Sequence, residues 1–204
     1  MTSKWSLLSI SAIIGSVAYC VLTIVSISFY PAQFSPLDDY LSVLGNSSLN
    51  PDGAIFYNLG VFLAGLFLFP FYVGMYKTYS RLEHGKLLAA AVAFGMFNAF
   101  SVMMSGIFSE DLYEIHYFWS LMIFASWIPV LYMVNSAVMK HHGFIRWVSY
   151  YGLFLATFDT LFVTYVLFFG TDTGSILEWV TIFSFLTWAV LHAFAVLRNK
   201  KPSS

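Results

Sequence analysis

Four ionisable side chains, Glu110, Asp111, Glu114 and His116, fall within seven residues of the stretch FSEDLYEIHYFWS, between two strongly apolar runs. A histidine beside a carboxylate can move protons as general acid and base, which makes His116, Glu110 and Asp111 the candidate catalytic set. The same groups could ligate a metal. A set of His116 with Glu110, Asp111 or Asp38 is carboxylate-heavy for zinc, however, and suits a hard cation better. Ser105 or Ser109 could act as nucleophile with His116 as base. A plainer account competes with all of these. Acids at a helix start complement the positive end of its dipole, and Asp111 and Glu114 stand where a helix would begin.

Other chemistries lack their residues. No G-x-S-x-G, P-loop or H-E-x-x-H motif occurs. The remaining histidines, His84, His141, His142 and His192, fall on the opposite side of the topology derived below. That separation removes a histidine-rich zinc site and a haem held between His116 and His192. No lysine lies inside an apolar run, so there is no retinal anchor. Neither a metal nor a cofactor is expected.

The elements that must position these residues are set by composition. The chain has 204 residues, 59% hydrophobic and only 9% charged, with a mean hydropathy of +0.78. A soluble domain carries roughly a quarter charged residues, so lipid must be the main solvent. The formal net charge of −1 and the absence of a long basic patch argue against nucleic acid as a partner; membrane lipids are the expected partners. Cys20 is the only cysteine, so no intrachain disulfide can form. The N-terminal apolar run continues to Tyr30, too long for a signal-peptide core, and is read as a retained first helix.

Crossing about 30 Å of hydrocarbon takes about 20 helical residues. Six stretches meet this: 6–30, 52–76, 87–108, 115–138, 147–169 and 179–197. The expected fold is therefore all-α, a polytopic membrane protein forming one six-helix bundle over residues 1–204. All nine Lys and Arg residues lie at the N-terminus, in the second or fourth connection, or in the C-terminal tail. An even number of spans puts those segments on one side, and the positive-inside rule makes that side cytoplasmic. Both termini are expected inside, in the plasma membrane. The other three connections and their edges hold Asp38, Asp39, Asp52, Glu110, Asp111, Glu114, Asp172 and Glu178, and no basic residue.

The first connection carries its own folding signals. Ser35-Pro36-Leu37-Asp38 reads as an N-cap, a first-turn proline and a capping-box acid. Leu37, Leu41 and Leu44 follow at helical spacing and Gly45 supplies a stop. This predicts a short amphipathic helix on the outer membrane surface, either a lid over a cavity or a simple connector. Asn50-Pro51-Asp52 repeats the cap pattern ahead of the second span.

Inside the spans, Asp159 is the most informative residue. An acid near mid-bilayer costs roughly 2.5–3.5 kcal/mol on insertion scales, so it should face the bundle interior. Thr160 adjoins it. Asn98, Ser101 and Ser105 form a polar stripe on the third span, Ser184 and Trp188 lie on one face of the sixth, and Asn58 is near the start of the second. These eight residues are the candidate ligand-binding set, in a polar interior among spans three, five and six. The competing reading is that they join helices to one another by hydrogen bonds. Apolar, aromatic-rich spans with few convergent polar groups fit a site for a lipid or amphiphile in a cavity open to the outer leaflet. An enzyme using His116 at the outer boundary and a small proton-coupled transporter using Asp159 are the alternatives.

Two stretches resemble a known family. DYLSVLGNSSLNPDGAIFYNLGVFLAG at 39–65 and GIFSEDLYEIHYFWSLMIF at 106–124 are similar to the family called domain of unknown function 998, six-helix membrane proteins mostly of archaea and bacteria. Its pattern is met by Leu41-Ser42-Val43-Leu44-Gly45, Asn50-Pro51, Tyr57-Asn58-Leu59-Gly60, Gly106-Ile107-Phe108 and His116. Ser109 departs from a proline common at that position. The family is distantly similar to the Frag/DRAM/Sfk membrane proteins, which by analogy implies a role near lipids; the resemblance assigns no activity to particular residues.

Overall fold

The structure, a computed structural model, describes residues 6–80, 85–139, 144–170 and 174–199. Lys4, Arg81, Lys140, Lys200 and Lys201, counted above among the basic residues, and Asp172, His84, His141 and His142, named above, lie outside the described residues. Among the described residues six α-helices make up the fold: α1 Leu7–Ser28, α2 Ala54–Tyr79, α3 Gly85–Ile107, α4 Tyr113–Val138, α5 Arg146–Phe169 and α6 Ser175–Asn199. All six are long and apolar enough to cross a membrane. Each packs on the next in chain order, and α6 closes the ring against α1. Ile24, Phe154 and Phe168 are 66%, 67% and 79% exposed on the outside, a surface stable only in lipid.

Local chemistry explains the helix starts and the close packing. Ser6 caps α1 by accepting a bond from the Ser9 N–H at 3.1 Å. Ser9 Oγ then donates to Ala193 O of α6 at 3.2 Å, tying the ends of the ring together. Between α2 and α3 the backbones nearly touch. A Cβ added at Gly65 would lie 2.6 Å from Met103 N, and one at Gly106 would lie 2.8 Å from Asn58 O. Only glycine permits that approach. Pro70 and Pro129 lie within α2 and α4, which continue through them.

Alternation of direction gathers the first, third and fifth connections at one end of the bundle, called here the acidic end. The first connection differs from the expected amphipathic helix. It makes a turn at 36–38, passes through extended Tyr40, and forms a five-residue 3₁₀ helix, Leu41–Gly45. Leu37 is exposed, whereas Leu41 and Leu44 are fully buried in the bundle. Asp39, rather than Asp38, receives the Ser35 N–H, at 2.9 Å. The reason is long-range competition for the backbone. Ser175 Oγ donates to Leu37 O at 2.9 Å, Trp179 Nε1 donates to Asp39 O at 3.0 Å, and Leu41 N–H donates to Glu178 at 2.6 Å. A continuing α-helix could not offer those groups to α6.

The expected Asn50 cap of α2 also differs. Gly53 occupies the N-cap without a side-chain bond, and α2 begins at Ala54. Asn50 is fully buried, and its Nδ2 donates to Ser26 Oγ and Leu44 O, both at 3.0 Å. It holds the connection down onto α1.

Candidate functional site

Two cavities meet below the acidic end. The central chamber, about 80 Å³, lies among α1, α2, α3, α4 and α6 and is walled by side chains such as Ala12, Val61, Phe71, Trp127, Phe185 and Ala189. A vestibule of about 210 Å³ lies between α4 and α5 at the acidic end, bounded by Tyr40, Glu110, Tyr113, Tyr117, Phe162 and Val166. Either volume exceeds the roughly 10–15 Å³ that admits one water. Ser42, His116, Ser120, Phe124 and Glu178 line both cavities, so the polar groups sit where the two join.

His116 occupies the first turn of α4 and is 7% exposed. Its Nδ1 lies 2.8 Å from Phe108 O, and its Nε2 lies 3.2 Å from Ser120 Oγ. A carbonyl only accepts, so Nδ1 carries the proton. In the neutral ring Nε2 is then the acceptor, and Ser120 O–H donates to it. Ser120 lies one helical turn along α4, which places its hydroxyl beneath the ring. Ser105 of α3 is 3.5 Å from Ser120, at the limit of a hydrogen bond.

Glu178, in the first turn of α6, is 6% exposed. Its one described hydrogen bond comes from Leu41 N–H. Glu110 reaches the vestibule, and its Oε2 is buried without a hydrogen-bond partner. Asp111 is exposed instead and lines neither cavity. It accepts from Ser47 N and Ser47 Oγ, both at 2.9 Å, and from Ser109 Oγ at 2.8 Å. Those bonds clasp the third connection to the first.

The candidate ligand-binding residues separate into distinct places. Ser105 lines the central chamber. Asn58 donates to Gly45 O at 3.0 Å and secures the 3₁₀ helix. Asn98 joins three helices: it accepts from Tyr72 O–H at 3.2 Å and donates to Ile123 O at 3.0 Å and Ser126 Oγ at 3.1 Å. Trp188 Nε1 donates to Asn135 Oδ1 at 3.1 Å, linking α6 to α4. Ser101 and Thr160 turn their hydroxyls back to Phe97 O and Ala156 O of their own helices. The Ser184 carbonyl accepts from Tyr151 O–H at 3.0 Å. Asp159 is fully buried with neither oxygen hydrogen-bonded, and it lines neither cavity. Of these eight residues Ser105 alone lines either cavity: the chamber extends toward α1 and α2, and the vestibule lies against α4 and α5.

Glu178, Ser120 and Ser42 are polar residues of the junction that sequence reasoning did not place at a site. Starting the sixth span at residue 179 left Glu178 outside it, although Glu178, Ile182, Phe185 and Ala189 repeat at helical spacing and all line the chamber. Ser120 carried the same signal, four residues from His116. His192 is elsewhere, fully buried with both nitrogens unpartnered and enclosed by Trp188, Phe144 and Tyr79 at 4.6, 5.4 and 6.2 Å between ring centres. Among the described residues no group of three or more His, Cys, Asp or Glu side chains could hold a metal ion.

The family described as protein of unknown function DUF998 matches over residues 13–195. No curated protein and no solved structure matches the chain. With the match running from α1 into the last turns of α6, and six apolar helices in the fold, the chain belongs to the DUF998 family of membrane proteins.

Proposed function

We propose that the protein binds a lipid or other amphiphile, with the apolar tail in the central chamber and the polar head at the junction of the two cavities. One observation carries this reading: an apolar chamber and a vestibule that adds Glu110 and three tyrosines share a wall in which His116, Ser120, Ser42 and Glu178 stand. A tail in the chamber loses water contact at about 25 cal/mol per Å². A head at the junction keeps its hydrogen bonds. The positive-inside rule sets the acidic end outside the cell, with both termini cytoplasmic, in the plasma membrane.

The test fills the chamber. Ala189 and Ala12 are buried on its wall, whereas Val17 is 56% exposed toward lipid. Native mass spectrometry of protein extracted from membranes should show alkyl-chain adducts in the wild type and in Val17→Phe. The adducts should be lost in Ala189→Phe and Ala12→Phe. Equal adducts in all four proteins would reject the chamber as the site.

The contact between Ser120 and His116 supports a second reading, acyl transfer to water. Ser120 Oγ would attack an ester carbonyl while His116 Nε2 takes its proton and passes it to the departing alcohol; water then releases the acid. Phe108 O would hold the ring in the required tautomer. An alkyl fluorophosphonate should then label Ser120 in the wild type and fail to label His116→Ala. Absence of labelling in the wild type removes this reading and leaves binding untouched.

A further inference from the structure

Building on the amphiphile reading, we infer that the head group is a cation, a long-chain amine or ammonium. Charge and ring placement at the junction carry the inference. Glu178 lines both cavities and Glu110 lines the vestibule, and no Lys or Arg lines either cavity among the described residues. The described basic side chains Lys77, Lys86 and Arg146 belong to the end of α2 and the starts of α3 and α5, at the opposite end of the bundle. An anionic head would meet two acidic side chains and no basic one to pair with.

His116 does not offset those acids for an anion. Its two ring nitrogens are already directed at Phe108 O and Ser120 Oγ, so the ring has no N–H to spare. A neutral head is tolerated but leaves Glu178 with a single backbone donor, Leu41 N–H. A carboxylate taken out of water is stabilised by a counter-charge at hydrogen-bond distance, and an ammonium head brings one.

The tyrosines add a second attraction. Tyr40, Tyr113 and Tyr117 line the vestibule, and the rings of Tyr113 and Tyr117 lie nearly parallel with centres 6.1 Å apart. Tyrosine faces attract ammonium and alkylammonium groups and gain nothing from phosphate. Carboxylates and tyrosine rings around one opening, above an apolar chamber, match a head that is both cationic and greasy at its root.

The experiment compares three amphiphiles with the same tail: dodecylammonium, 1-dodecanol and dodecyl phosphate. Each is titrated onto the full-length protein in phosphatidylcholine nanodiscs, with empty nanodiscs subtracted. Dodecylammonium should bind about tenfold tighter than dodecanol, and dodecyl phosphate weakest. Glu178→Gln, and separately Glu110→Gln, should erase the preference for the amine, with size-exclusion chromatography of the reconstituted variants reporting that they are folded. Wild-type binding of the alcohol or phosphate as tight as that of the amine overturns the cationic head while the amphiphile site stands. An amine preference unchanged in both variants overturns it equally. If none of the three binds, the amphiphile site itself is rejected and this inference with it.

Discussion

Asn98 offers the sharpest test of how the bundle is held together. Its amide is fully buried and joins α2, α3 and α4 through Tyr72, Ile123 and Ser126. Asn98→Leu keeps the branched shape and the number of heavy atoms and removes all three bonds. Hydrogen bonds between membrane helices are worth about 0.6 kcal/mol each on average and about 1.7 at most. Three average bonds come to about 2 kcal/mol, and the upper bound is about 5 kcal/mol. For a chain of this length, 1 kcal/mol shifts the melting temperature by about 2–4 °C, so a loss of about 4–8 °C is expected. Thermal unfolding in detergent, followed by near-ultraviolet circular dichroism, measures it. Tyr72→Phe alone should cost about a third of that, and adding it to Asn98→Leu should cost nothing further, because the two share one bond. A melting temperature within about 1 °C of wild type for Asn98→Leu would refute the reasoning, since it would mean that the three distances carry no net stabilisation.

Three further outcomes follow from the geometry. Gly65→Val should prevent α2 and α3 from packing, because even a Cβ would lie 2.6 Å from Met103 N; a folded variant by size-exclusion chromatography would contradict this. Nitrogen-15 spectra of histidine-labelled protein should show His116 neutral with Nδ1 protonated, the His116→Asn spectrum supplying the assignment, and an Nε2-protonated ring would contradict the bond to Phe108 O. In a Cys20→Ser background, Asp52→Cys should react with a membrane-impermeant maleimide on intact cells and Lys77→Cys only after permeabilisation; the reverse pattern would invert the proposed orientation.

The helices were legible because hydrocarbon thickness fixes their length. The third span, expected at 87–108, is Gly85–Ile107, and the fourth, expected at 115–138, is Tyr113–Val138. The first connection was not legible in the same way. Its local signals favour a helix, but Ser175, Trp179 and Glu178 claim its backbone from more than 130 residues away. His116 could be picked out because neither charge sidedness nor capping calls for an imidazole, and it does line both cavities. Asn98 and Trp188 looked like ligand groups for the reason that makes them cross-links. A polar group in lipid needs a partner, and sequence does not reveal whether that partner is a ligand or another helix.

The bond from Leu41 N–H to Glu178 spans 137 residues, and that separation orders the protein's biogenesis. The first connection leaves the ribosome early, yet the acid that receives its amide is synthesised with the last helix. Until α6 inserts, Leu41 N–H lacks this acceptor, the chamber lacks the wall formed by Glu178, Ile182, Phe185 and Ala189, and α1 has no Ala193 carbonyl to bind. A nascent chain arrested before Ser175 can have five helices in the bilayer and still lack that wall of the chamber. If the proposed amphiphile site is correct, binding competence arrives in one late step, when α6 closes the ring.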